Sequence, residues 1–206
     1  TVRVYDGSIL LGTATVSGTT WTFADTRTLT NGTTVSYTAR VADTAGNLST
    51  AGTAYTVTVD TAAPTTTGTV TAITDNTGFI QGTVASGTTT DDTSLSTSGT
   101  LSTSLAAGET ARVYDGSTYL GDATVSGTNW SYSDTRTLTD GQTVSYKIRV
   151  SDAAGNLGAV STAYTATVDL TAPTLTAAVT AITDNAGAVT GTVANGGTTD
   201  DTSLSV

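Results

Sequence analysis

The sequence contains no cysteine, no histidine and no methionine. Without Cys and His there can be no disulfide staple, no thiol nucleophile, no Ser-His-Asp triad and none of the usual zinc ligand sets. Basic residues number only seven and are scattered over a chain whose net charge is −10, so no basic stripe forms and nucleic acid is not an expected partner. No stretch of 18 apolar residues occurs, so no insertion of this segment into a membrane is expected. Proline appears twice, as Pro64 and Pro173, and glutamate once, as Glu109. With no His or Cys and no paired catalytic carboxylates in view, the chain is not expected to be an enzyme.

What the chain does contain is itself, repeated. Residues 1–97 return as 110–206 at a constant offset of 109, and 66 of the 97 aligned positions are identical. Trp21 recurs as Trp130, Asp43 as Asp152, Asp60 as Asp169 and Pro64 as Pro173. A period of about 109 residues is too long for one turn of a solenoid and suits a whole small domain. The two prolines lie in similar segments, 59–64 and 168–173, that read as linkers. The expected organisation is therefore the C-terminal part of one repeat at 1–63, a complete repeat at 64–172, and the N-terminal part of the next at 173–206. The chain reads as a stretch of a longer array.

Threonine supplies 54 residues and alternates with apolar residues at a period of two, while no segment carries a helical period. In 142–151, Val144, Tyr146, Ile148 and Val150 alternate with Thr143, Ser145, Lys147 and Arg149, the pattern of a half-buried antiparallel strand. Residues 111–114 and 119–125, joined through Asp115-Gly116, predict a hairpin. Further strands are expected at 70–74, with 80–84 continuing its edge, and at 94–102, 129–132 and 162–169. Some seven short strands per repeat, separated by Gly, Asn and Asp, predict an all-β chain of tandem immunoglobulin-like β-sandwich domains with no disulfide. Trp21, Trp130, Tyr37 and Tyr146 are expected in the cores. Tyr146, following the turn at 140–142, resembles a tyrosine corner.

The segments at 108–125, 150–156 and 168–173 resemble the bacterial immunoglobulin-like repeats of giant RTX-type surface adhesins, and the likeness runs through the whole chain. Ser94 departs from many relatives, which carry Pro there. The resemblance implies a secreted, cell-surface extender whose repeats project an adhesive domain for attachment or biofilm formation. It also implies Ca²⁺ near the joints between repeats.

The acids supply a reason of their own to consider a cation. Sixteen of the seventeen are Asp, a residue that favours turns and provides short, stiff oxygen ligands. An immunoglobulin-like topology gathers Asp75, Asp91 and Asp92 toward Asp169, repeats the first three as Asp184, Asp200 and Asp201, and brings Asp152 to face Asp60 across the linker. Two carboxylates 4 Å apart repel by roughly 4 kcal/mol at an effective dielectric near 20. Either these groups splay into solvent, or a hard cation such as Ca²⁺ neutralises them. These nine residues are the candidate metal ligands. The loops at 43–47 and 152–156 allow two roles, a tight turn with Gly46 or Gly155 at positive φ, or a direct part in binding calcium. Asp25 and Asp134 are expected to make weak surface pairs with Arg27 and Arg136.

Two functions outside the extender class remain to be weighed. One is a subunit of a surface filament whose strands are exchanged between chains. The other is a module that grips carbohydrate or protein directly, which an aromatic content of 6% makes a poor fit.

Overall fold

Period-two alternation becomes burial alternation wherever two sheets can close on each other. In the strand Thr143–Ser151, Val144, Tyr146, Ile148 and Val150 are buried, while the intervening Ser145, Lys147 and Arg149 remain half-exposed. A computed structural model describes residues 1–206 as all-β and places them in two compact units, Thr1–Leu170 and Thr171–Val206.

In the first unit, residues before Pro64 form β1 (Val2–Asp6), β2 (Ile9–Thr13), β3 (Thr15–Ser17), β4 (Thr20–Thr22), β5 (Thr34–Val41) and β6 (Tyr55–Thr58). The complete repeat adds β7 (Gly68–Asp75), β8 (Gly82–Val84), β9 (Thr88–Thr90) and β10 (Ser96–Leu101). It then repeats the earlier pattern as β11 (Thr110–Asp115), β12 (Thr118–Asp122), β13 (Thr124–Ser126), β14 (Asn129–Ser133), β15 (Thr143–Ser151) and β16 (Tyr164–Val168). The second unit holds one hairpin, β17 (Ile182–Asp184) with β18 (Gly191–Val193).

The complete repeat is a sandwich of two five-stranded sheets, ordered β13-β14-β10-β7-β8 and β12-β11-β15-β16-β9. All pairs are antiparallel except β9 with β16. Ile73, Leu95, Leu101, Val113, Leu138, Ile148 and Val168 fill the space between the sheets, with Trp130 wedged among them. Fully burying one such aliphatic side chain contributes roughly 1.5–3 kcal/mol. The Trp130 indole N–H donates to Thr69 O at 3.1 Å, so its one polar atom is satisfied inside the core. Beneath it lies Gly99, where a methyl group would stand 1.9 Å from Thr69 O and 2.9 Å from Trp130 Cε2. Only glycine lets the indole approach that closely.

Several strands differ from expectation. Residues 119–125 do not form one strand: the chain breaks at Ala123, β12 staying in the β11 sheet and β13 crossing to β14. Residues 82–84 do not extend β7 but fold back on it as a hairpin, leaving Ile80 outside. Strand β9 was not expected at all, because its three threonines carry no alternation. Tyr37 and Trp21 also depart from the core role expected of them, with Tyr37 half-buried and Trp21 44% exposed, against 2% for Trp130. Residues 1–60 contain counterparts of β11–β16 but not of β7–β10, the strands against which Trp130 packs. Hairpin β3-β4 pairs with nothing else, and the β2-β1-β5-β6 sheet ends at β6, so no opposing strands cover this face.

Candidate functional site

Asp75 ends β7, and its carboxylate turns inward. One oxygen accepts from Thr77 N at 2.9 Å and the other from the Thr90 hydroxyl at 2.5 Å. Asp92, 1% exposed, accepts from Asn76 N at 3.0 Å and Ser94 N at 2.7 Å, and its own N–H donates to Thr90 Oγ1 at 3.2 Å. Thr90 is thus the hub that joins the two acids. Asp169 approaches the same hub by its backbone, its N–H donating to Thr90 O at 2.9 Å. Asp91 lies outside this core, exposed, with its carboxylate against the backbone of Gly78. Gly78 has φ +71°, and a methyl there would sit 2.0 Å from an Asp91 oxygen. The positive φ favours glycine, and a methyl here would displace the exposed Asp91 carboxylate.

The second copy reproduces this device atom for atom. Asp184 accepts from Ala186 N and from the Thr199 hydroxyl, and Asp201 accepts from Asn185 N and Ser203 N. Asp200 lies against Gly187 as Asp91 lies against Gly78. The two backbone donors hold the Asp201 carboxyl below the ordinary aspartate range.

On the other side of the linker, Asp152 closes the loop at 152–156. Its oxygens accept from Asn156 N at 2.8 Å and Asn156 Nδ2 at 2.9 Å, and the Asn156 side chain leads the hydrogen bonds that depress its pKa. The same Asn156 amide donates to Asp60 O at 3.1 Å, so this loop bonds directly to the end of the preceding repeat. Asp43 and Asn47 make the corresponding internal bonds. Gly46 and Gly155 take φ +92° and +93°, as the tight-turn role required. Asp60 itself is exposed and caps the linker through Ala62 N at 3.0 Å.

Sequence reasoning missed a second polar network, centred on a buried acid. Asp134 is not half of a weak surface pair; its side chain is 1% exposed. It receives three bonds from the Arg136 guanidinium, the shortest 2.6 Å, one from the Arg136 backbone N–H at 3.0 Å and one from the Tyr146 hydroxyl at 2.6 Å. Arg136 also reaches Asp115 at 2.9 Å, and Asp115 in turn accepts from Ser145 N at 2.7 Å. Burial pushes the Asp134 carboxyl upward, but its bonds to Arg136 and Tyr146 outweigh it and leave the pKa lowered. Burial and the adjoining Asp134 carboxylate raise the Tyr146 phenol well above its ordinary range. Tyr146 therefore differs from a tyrosine corner in bonding a carboxylate rather than the backbone. The signal was present in the repeated Asp-Thr-Arg at 25–27 and 134–136, but its depth depends on Tyr146 facing inward beneath it.

Do these residues fit calcium? At the linker the donors are all oxygens, which is the right chemistry for a hard cation. Nowhere in the structure do three or more acidic side chains gather where they could hold one ion, against the six to eight oxygens that Ca²⁺ takes. Asp75, Asp92, Asp152, Asp184 and Asp201 already use both carboxylate oxygens on N–H or O–H donors. In this arrangement the acids fasten turns and joints, and no cluster of three acidic side chains marks a preformed cation site.

No protein-family model matches the chain, and no curated protein matches it.

Proposed function

We propose that the chain is a structural spacer, an extender segment of a bacterial cell-surface adhesin built from tandem immunoglobulin-like sandwiches and lacking catalysis. Its partners are the neighbouring repeats of the same chain, and its place is outside the cell. One observation carries this reading. The 109-residue unit recurs at 66 of 97 positions, and the recurrence includes the residues that fasten the joint. Asn156 ties Asp152 to the backbone of Asp60 across the linker, which limits hinge freedom between consecutive repeats. The adhesin resemblance read from 108–125, 150–156 and 168–173 supports the same view. A charge of −10 on each 206-residue stretch would keep densely tethered copies apart. Residues suited to a substrate cleft are missing, and the buried acid network centred on Asp134 is internally satisfied rather than turned to a cavity.

The test is location and reach on intact source cells. Antibodies against the folded 206-residue chain should label unbroken cells, and immunogold should fall away from the envelope at distances that shorten when repeats are deleted. Label that appears only after lysis would overturn the reading.

A further inference from the structure

Sequence order scatters the seven basic residues, but the fold collects five of them. Arg27 and Arg136 are bound within the networks of Asp25 and Asp134. The other five, Arg3, Arg40, Arg112, Lys147 and Arg149, stand on the same sheet face in their respective copies. In β11 and β15, Val113, Ile148 and Val150 are buried, so by strand alternation Arg112, Lys147 and Arg149 point outward. Buried Val4 and Val35 set the same sense for Arg3 and Arg40 in β1 and β5. In the complete repeat this face is the outer side of the closed sandwich, and no further strand of the repeat covers it.

The charges on this face are unanswered. Arg112 lies directly opposite Arg149 in the β11–β15 ladder, and Arg3 directly opposite Arg40 in the β1–β5 ladder. Like charges in cross-strand positions destabilise a sheet. Both copies carry the pair, although only 66 of 97 aligned positions are identical. The one carboxylate nearby does not relieve it. Asp122 Oδ1 stands 3.8 Å from Arg112 Nε and accepts instead from the Tyr119 hydroxyl at 2.7 Å. Arg112 Nε is shut off from water and has no acceptor. In the first copy Thr13 replaces Asp122. Lys147 makes no ion pair. Arg149 is anchored, its Nε and Nη2 donating to Gly158 O at 3.1 and 2.9 Å, which leaves Nη1 uncommitted. Tyrosines border these cations. Arg112 lies over the Tyr119 ring at 5.5 Å, Tyr119 packs on Tyr114 at 5.6 Å, and Arg40 lies over Tyr5 at 5.9 Å.

We propose that this face binds an anionic polysaccharide, a chain of sugar rings bearing carboxylates. Arg112 and Arg149 take one carboxylate between them, Lys147 takes another, and the exposed Tyr119 backs a ring. Charge complementarity selects an anion, and charge density selects its class. Duplex nucleic acid carries a charge every ~1.7 Å of axis, far more than three cations can answer on a body of net charge −10. A uronate chain is sparser, at most one carboxylate per ring, and offers ring faces to tyrosine. A second copy of this chain is itself strongly acidic and is repelled as a whole. Aromatic residues are few overall, but Tyr114 and Tyr119 are gathered where this ligand needs them. Each face binds weakly, and an array that repeats it every 109 residues gains by avidity. The inference does not rest on the spacer reading, since antibody labelling and polymer binding can fail separately.

Native electrophoresis of the 206-residue chain through gels containing polygalacturonate provides the test, with EDTA present so that no divalent ion bridges two carboxylates. Comparison gels hold neutral dextran or DNA fragments. Protein and polymer are both acidic, so bulk charge drives them apart and retardation reports a local contact. The expected result is retardation in polygalacturonate alone, weakening as salt rises. Lys147→Thr and Tyr119→Leu match Thr38 and Leu10 of the first copy, so the fold accepts them. Combined with Arg112→Gln, they should weaken apparent affinity by about tenfold or more. Adding Arg3→Gln and Arg40→Gln should abolish what remains. Asp140→Asn, matched to Asn31, removes a negative charge away from this face and should leave retardation unchanged. A chain that is not retarded overturns the proposal. So does retardation that survives the substituted face, or that Asp140→Asn strengthens. Equal retardation in dextran would mean contact without the cations, and equal or stronger retardation in DNA would assign the face to nucleic acid; either result overturns it.

Discussion

Trp130 and Trp21 occupy equivalent positions in two copies of one repeat, within nearly the same local sequence. Trp130 is sealed in a core and bonds Thr69 O, while Trp21 lies 44% exposed over a face without a second sheet. Asp134 and Asp25 differ in the same way. Both bind an arginine two residues on and a tyrosine hydroxyl, but only Asp134 lies among the buried residues. Both pairs show that the local sequence fixes which groups bond to one another. The opposing sheet decides whether those bonds are made out of water, and hence what they contribute.

The largest expected effect separates the tryptophans. Trp130→Ala should cost about 3–5 kcal/mol through lost burial and the cavity left behind. Trp21→Ala should change stability by a small fraction of that. Denaturant melts of both variants measure the ratio, and equal losses would break the comparison. Next come the acids. Asp134→Ala leaves the buried Tyr146 hydroxyl and part of the Arg136 guanidinium without a partner, at a cost of about 2–3 kcal/mol. Asp25→Ala should produce a smaller fall, since water replaces the lost acceptor.

Acid should reveal the same contrast as a pH dependence. The Asp134 carboxyl has a folded pKa below its unfolded value, so the stability it contributes is fully present above about pH 4 and is lost as pH falls through the lowered folded pKa. Tyr146 has the opposite sign. Its folded pKa is raised, so its contribution is complete below about pH 10 and is lost in alkali. Melts from acid to alkali should narrow from both ends, and Asp134→Ala should flatten the acid limb. An unchanged acid limb in that variant would remove Asp134 from the linkage.

The glycine substitutions give a smaller effect. Gly78→Ala forces a methyl into the Asp91 carboxylate at φ +71°, whereas Gly116→Ala, at φ +60° in open space, meets only the backbone preference of about 1–2 kcal/mol. The larger loss should therefore fall on Gly78. Smallest of all is the metal. With the carboxylates already engaged by backbone donors, millimolar calcium added after chelation should leave the melting temperature where equimolar magnesium leaves it. A calcium-specific rise of many degrees would show that the acids regroup around an ion.

Much of this was legible before any fold was known. The offset of 109 identifies the repeat, the alternation at 142–151 and 162–169 marks the strands, and Gly46 and Gly155 mark their turns. Sequence topology also brings Asp75 and Asp92 together near Asp169, and sets Asp152 beside Asp60. It could not show that the first two meet through Thr90, because hydroxyl hubs have no spacing rule. Nor could it show that the Asp152 loop reaches Asp60 by way of the Asn156 amide.

By itself, then, the sequence determined the all-β class, the repeat and the positions of most strands, since these follow from side-chain period and turn chemistry between near neighbours. Only the tertiary structure decided that 119–125 divides between two sheets and that β9 closes an edge in parallel. It alone settled that Asp92 and Asp134 are buried and that Trp21 is not. Each of those outcomes depends on which distant strands lie opposite, and two copies with the same local sequence can differ in it completely.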